Sequence, residues 1–140
     1  MQYRNLGRSH LKVSALCLGT MMFGDQTDAA EARRIVAHAQ EHGVNFIDTA
    51  DVYSAGESER LLGQAMRALG LPREDLVIAT KVRIRMGEGP NRVGLSRVHI
   101  MHAVEASLAR LELEHIDLYQ IHGVDFLTPD DLTMVRGNHR

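Results

Sequence analysis

Four short apolar runs alternate with stretches of helical period, and that alternation constrains the fold of this 140-residue chain more than any other feature. Leu16-Cys17-Leu18-Gly19-Thr20, Asn45-Phe46-Ile47-Asp48-Thr49-Ala50, Leu76-Val77-Ile78-Ala79-Thr80-Lys81-Val82 and Ile116-Asp117-Leu118-Tyr119-Gln120-Ile121-His122 read as strands. After the first, Asp28 with Glu31 marks a capped helix whose buried stripe is Ala32, Ile35, Val36 and Ala39, ended by Gly43. The spacing of Leu61, Leu62, Ala65, Met66 and Leu69 predicts a second helix over residues 58–69, stopped by Gly70 and Pro72. Ser96 caps a third, with Ile100, Val104, Leu108 and Leu111 inward and His99 and His102 toward solvent. A further helix start is read at Pro129-Asp130-Asp131, and a hairpin outside the series at Gln2-Tyr3-Arg4 and Leu11-Lys12-Val13 around Gly7-Arg8-Ser9.

Repeated strand-then-helix units require a parallel sheet covered by helices. A doubly wound sheet announces itself with a glycine-rich phosphate turn after its first strand, and the glycines of Gly19-Thr20-Met21-Met22-Phe23-Gly24 have the wrong spacing. A barrel instead places chemistry at the C-terminal ends of several strands, which is where Thr20, Asp48, Lys81 and His122 fall. The fold class is therefore α/β, a partial (β/α)8 TIM barrel of about four β/α units preceded by an N-terminal β-hairpin. Because a whole barrel takes roughly 250 residues, residues 1–140 are expected to be its N-terminal half, truncated after strand four.

Asp48, Tyr53, Lys81 and His122 are the candidates for one site. A lysine on a buried strand needs a partner, and Asp48 on the neighbouring strand supplies one. That pair alone would serve equally well to fix the barrel rim. Tyr53, five residues past Asp48 in a loop with Ser54-Ala55-Gly56, can swing over the strand mouth. Beside an ammonium, the anion of a phenol with an ordinary pKa of about 10 is favoured. Such a group can protonate an alkoxide forming as a carbonyl is reduced, while His122 hydrogen-bonds the same oxygen.

Eighteen acidic against sixteen basic residues, without blocks of one sign, give a net charge of -2 and no footprint for nucleic acid or a membrane surface. No run is long and apolar enough to span a membrane, and the N-terminus lacks a signal-peptide core. The single cysteine, Cys17, is expected as a small core residue and fits a reducing cytoplasm. His99, His102, His115 and His122 are not joined by the cysteines or carboxylates that would complete a tetrahedral metal set.

Several motifs together resemble the aldo-keto reductase family. Gly43-Val44-Asn45-Phe46-Ile47-Asp48-Thr49-Ala50-Asp51-Val52-Tyr53 is similar to its second strand, and Gly56-Glu57-Ser58-Glu59-Arg60-Leu61-Leu62-Gly63 to the helix start that follows. Ala79-Thr80-Lys81-Val82 and Asp117-Leu118-Tyr119-Gln120-Ile121-His122 resemble the strands bearing its lysine and histidine. The opening Arg4-Asn5-Leu6-Gly7 and Leu18-Gly19-Thr20 are similar too, and the hairpin is one the family uses to plug its barrel floor.

The resemblance implies NADPH-dependent reduction of small-molecule aldehydes or ketones, or the reverse oxidation. Tyr53 would be the general acid, Lys81 the group that assists it, Asp48 the partner of Lys81, and His122 the orienter of the carbonyl. Gly19, Thr20 and Met21, with Asp48, would lie against the nicotinamide ribose of NADPH (NADP+). Family members continue through four more strands that carry most of the cofactor grip, so the chain alone is expected to bind NADPH weakly. A half barrel with unpaired edges is also expected to self-associate. The alternatives are a non-catalytic interaction or regulatory module, as in the family's channel-associated subunits, and an incomplete fragment.

Overall fold

A computed structural model describes residues 1–128. Strands β1 (Tyr3–Asn5) and β2 (Lys12–Ser14) pair antiparallel as the hairpin. Four parallel strands follow, β3 (Cys17–Gly19), β4 (Phe46–Asp48), β5 (Val77–Val82) and β6 (Leu118–Ile121), in the spatial order β3-β4-β5-β6. Each new strand adds at the same growing edge. A doubly wound sheet reverses direction at a switch point, whereas a (β/α)8 barrel adds strands in sequence order, so the topology supports the partial barrel. The helix start read at Pro129 lies outside the described residues.

Helices α1 (Ala29–Glu41), α2 (Glu57–Ala68) and α3 (Arg97–Leu111) connect the strands. The predicted caps form: Asp28 accepts from the Glu31 N–H at 2.9 Å, and Ser96 from the His99 N–H at 3.3 Å. The parallel register aligns Leu18, Ile47 and Ile78 in one row, and all three pack against the helices with Val36, Leu61, Leu62, Met66 and Leu111. A second cluster, Val82, Leu95, Ile100 and Ala103 with Tyr119, seats the start of α3 on β5 and β6. Because side chains alternate across a strand, the residues between these rows face the barrel interior: Gly19, Asp48 and Ala79 in one row, Lys81 and Gln120 in another.

Two expectations need correction. Cys17 is exposed, because it lies on the interior face of β3, away from the helices that bury Leu18. His99 is buried, because the inward stripe of α3 runs through His99, Ile100, Ala103, Ser107 and Leu111, with Ala103 and Ser107 one residue before the predicted Val104 and Leu108 and so about 100° around the helix from them. His102, by contrast, is exposed as expected.

Asn45 ties the hairpin to the sheet. Its side-chain carbonyl accepts from Ser14 N–H at 2.7 Å and its amide donates to Lys12 at 2.9 Å, which fixes the hairpin at the N-terminal ends of the strands. The hairpin thus lies at the opposite end of the sheet from Asp48 and Lys81. On the outer layer, Gly63 lets α2 and α3 touch: a Cβ there would meet the Leu111 carbonyl oxygen at 2.3 Å. Such contact is open only to glycine.

Candidate active site

At the C-terminal ends of the strands the Lys81 ammonium spends all three of its protons. It donates to Asp48 Oδ2 at 2.5 Å, to the Thr49 carbonyl at 2.7 Å and to the Tyr53 hydroxyl oxygen at 3.2 Å. The Lys81 and Asp48 side chains keep only 15% and 26% of their surface, so the pair is held by geometry and is not a loose surface contact. The His122 ring meets the Tyr53 ring edge-on with centroids 5.6 Å apart. Burial first, and then the Lys81 charge, push the His122 imidazole below its ordinary pKa, so it stays neutral with a ring N–H to offer. The structure thus brings Asp48, Tyr53, Lys81 and His122 to one mouth.

Tyr53 reaches this position through an unusual turn. Ser54 (φ 48°) and Ala55 (φ 54°) are left-handed although neither is glycine, and Gly56 (φ 92°) completes the reversal into α2. Ser54 secures it by donating to the Phe23 carbonyl at 2.9 Å.

Gln120 belongs to the same constellation, and the sequence reading did not single it out. Its side-chain amide donates to Asp48 Oδ1 at 2.9 Å, so both Asp48 oxygens are held, one by Lys81 and one by Gln120. The signal was the period of two: Gln120 precedes His122 on the same face of β6 and aligns with Lys81.

The residues expected near a cofactor fall beside this mouth. Gly19 sits in the row of Asp48, and an added Cβ there would meet open space. Met21 is exposed and shares a hollow with Met22, Val52 and Tyr53. Thr20 is fully buried, its N–H on the Asp48 carbonyl at 3.0 Å and its hydroxyl against Ser58 Oγ at 2.9 Å. Ser58 Oγ also lies 2.7 Å from the Thr20 carbonyl and 3.1 Å from Thr49 Oγ1, so hydroxyls lock β3, β4 and α2 together beneath the mouth. Among the described residues, the grouping with metal-ligand spacing is His38, Glu41 and His42, exposed at the C-terminal end of α1 and apart from these residues.

Behind the sheet a second polar layer forms. Glu59, fully buried on α2, accepts from Thr80 Oγ1 and from Arg110 Nε, each at 2.6 Å. Asp51 is also fully buried, and neither carboxylate oxygen has a partner in full hydrogen-bonding geometry; the Val52 backbone N–H beside it offsets only part of the cost of burying the charge. Burial first, then the Glu59 charge, push the Asp51 carboxyl up from 3.8 to about 6. The unfolded chain therefore loses this proton first, and stability falls as pH climbs from about 4 to about 6. Asp51→Asn removes the cost of ionisation. The variant is expected to unfold later than the parent above pH 6, by roughly 2–3 kcal/mol, and to match it near pH 4. Urea midpoints at several pH values read this directly.

The sequence model of the aldo/keto reductase family matches residues 15–136. A probable voltage-gated potassium channel subunit beta of Arabidopsis thaliana is 46% identical over 140 residues, covering 99% of this chain and 42% of that protein. An uncharacterized oxidoreductase of Bacillus subtilis is 45% identical over 139 residues, covering 94% of this chain and 43% of its own length. Among solved structures, an aldo-keto reductase from Bacillus halodurans in its holo form superposes with a TM-score of 0.83 at 41% identity, covering 95% of this chain and 44% of that one. The chain thus spans less than half the length of the relatives it matches. Among the described residues, no helix is long and apolar enough to cross a membrane.

Proposed function

Given that the chain belongs to the aldo/keto reductase family, we propose that it carries the catalytic half of an oxidoreductase that reduces aldehydes or ketones with NADPH. The carrying observation is the Lys81 ammonium held between Asp48 and the Tyr53 oxygen, with His122 across the Tyr53 ring. A reduced nicotinamide, when bound, supplies the hydride. Gly19 and Met21 offer the open flank beside Asp48 that suits the nicotinamide ribose, and Thr20 holds that flank in place.

The residues then divide the work. Neutral His122 donates a hydrogen bond to the substrate carbonyl oxygen, orienting and polarising it. Tyr53 gives its proton to that oxygen as negative charge develops there, and the phenolate left behind is stabilised by the ammonium already hydrogen-bonded to it. Asp48 fixes Lys81 in that place, and Gln120 fixes Asp48. Carbonyl-dependent oxidation of NADPH with an aromatic aldehyde tests the reading. It should be run on the chain and on a barrel completed by the C-terminal half of a family member. Absence of turnover in both would defeat it.

Gln120 gives a finer check. Gln120→Leu leaves Asp48 Oδ1 without its donor while keeping the volume of the side chain. About 1 kcal/mol of positioning is lost, so kcat is expected to fall roughly fivefold with little change in KM for the aldehyde. An unchanged kcat would remove Gln120 from the machinery.

The probable channel subunits among the relatives favour a second reading, an interaction module that keeps the fold without turnover. The same assay separates the two. Under either reading the exposed interior face and the single-partner edges of β3 and β6 among the described residues favour association with further strands.

A further inference from the structure

Behind the catalytic sheet, where the loop of residues 83–95 crosses the start of α3, lies a cavity of about 500 Å³ whose walls include Asp51, Asn91, Arg92, His99, His102 and Arg110. Two of its polar side chains are almost wholly buried and have no partner: both oxygens of Asp51, at 0% exposure, and Nε2 of His99, at 4%. A buried polar group left unpaired is costly, and a ligand that pairs it is strongly preferred over one that does not. Burial, followed by the charges of Arg92 and His102, holds His99 below its ordinary pKa, so its ring is neutral and carries no charge to match.

The remaining charges divide by depth. Glu59 and Arg110 neutralise each other across 2.6 Å. Asp51 lies at the buried end, and Arg92, exposed at the outer end, forms no ion pair among the described residues. The cavity therefore presents an unmatched anion inside and an unmatched cation outside. We propose that it binds a small zwitterion, with a protonated amine on Asp51 and a carboxylate on Arg92. A lone cation would meet Arg92 on its way in, and a lone anion would face Asp51.

Occupancy of this cavity would be felt at the mouth. The Asp51 N–H donates to the Lys81 carbonyl at 3.3 Å, and Tyr53 follows two residues later in the same segment. The proposal stands apart from the oxidoreductase reading, since it concerns the opposite face of the sheet and its test needs no turnover.

The probe is 5-aminopentanoate, compared with pentylamine and pentanoate, which carry one charge each, and with xylitol, which carries none. Binding to the 140-residue chain is followed by backbone amide NMR shifts. The expected result is saturable shifts at residues 51–53 and in the first turns of α3, with either half-probe weaker by about tenfold. Asp51→Asn and Arg92→Gln should each weaken 5-aminopentanoate by about tenfold as well. Arg92 is at the surface and Asp51→Asn is expected to be at least as stable as the parent, so both variants keep the fold that the test needs. No saturation, equal binding of the half-probes or of xylitol, or shifts confined to residues around Gly19 and His122 would overturn the proposal.

Discussion

Tyr53→Phe is expected to slow carbonyl reduction by about 10²–10⁴-fold, the usual range for loss of a positioned general acid. The substitution removes one oxygen and nothing else that the fold depends on. Tyr53 Oη has Lys81 Nζ as its neighbour at 3.2 Å, and the ring keeps its edge-on contact with His122. Without the phenol, Lys81 retains Asp48 and the Thr49 carbonyl, so the ammonium stays put. Nucleotide affinity should therefore be nearly unchanged, because nothing on the Gly19 and Met21 flank is touched. Stopped-flow reduction at saturating NADPH, beside a fluorescence titration of the nucleotide, separates the two quantities. Equal losses in both would mean that Tyr53 shapes the pocket and does not deliver the proton.

Glu59→Ala carries the largest expected cost in stability, about 3–5 kcal/mol, because it breaks a buried ion pair and leaves one partner behind. Glu59 is fully buried; its two oxygens take the Thr80 hydroxyl and the Arg110 guanidinium, each at 2.6 Å. Arg110, whose side chain is only 14% exposed, would keep Ser107 Oγ at 3.2 Å but lose its countercharge. Nor can Arg110 swing away freely, since it packs over Gly56, where even a Cβ would lie 2.6 Å from its Cδ. Glu59→Gln preserves the acceptor for Thr80 and should cost less. Urea unfolding by circular dichroism reads both, and a loss under about 1 kcal/mol for the alanine variant would show that the pair is solvated in solution.

Strand and helix positions were legible because each depends on local periodicity, and the caps at Asp28 and Ser96 formed as read. Three of the four candidate residues could be placed for the same reason. Asp48, Lys81 and His122 fall at or beside the C-terminal ends of β4, β5 and β6, and alternation sends all three to one face. What sequence could not show depends on neighbours. Cys17 stands between leucines, and only the docking of α1 and α2 decides that Leu18 and not Cys17 is covered. His99 looks solvent-facing by period, but the rotation of α3 is set by Leu95 and Val82 packing beneath it. Tyr53 needed a left-handed turn through Ser54 and Ala55, residue types that give no warning of one. Gln120 carries no charge to draw the eye, and its role appears only once β6 lies beside β5 and Asp48 comes within reach.

The hydroxyl cluster of Thr20, Thr49 and Ser58 has a consequence for how such a site can work across conditions. None of the three groups ionises in the range where proteins live, so the joints between β3, β4 and α2 are indifferent to acidity. In the proposed reaction a proton would leave Tyr53 and return without the masonry beneath it registering the event. Chemistry and support would thereby be insulated from each other, so that the proposed protonation cycle need not shake the walls that align it.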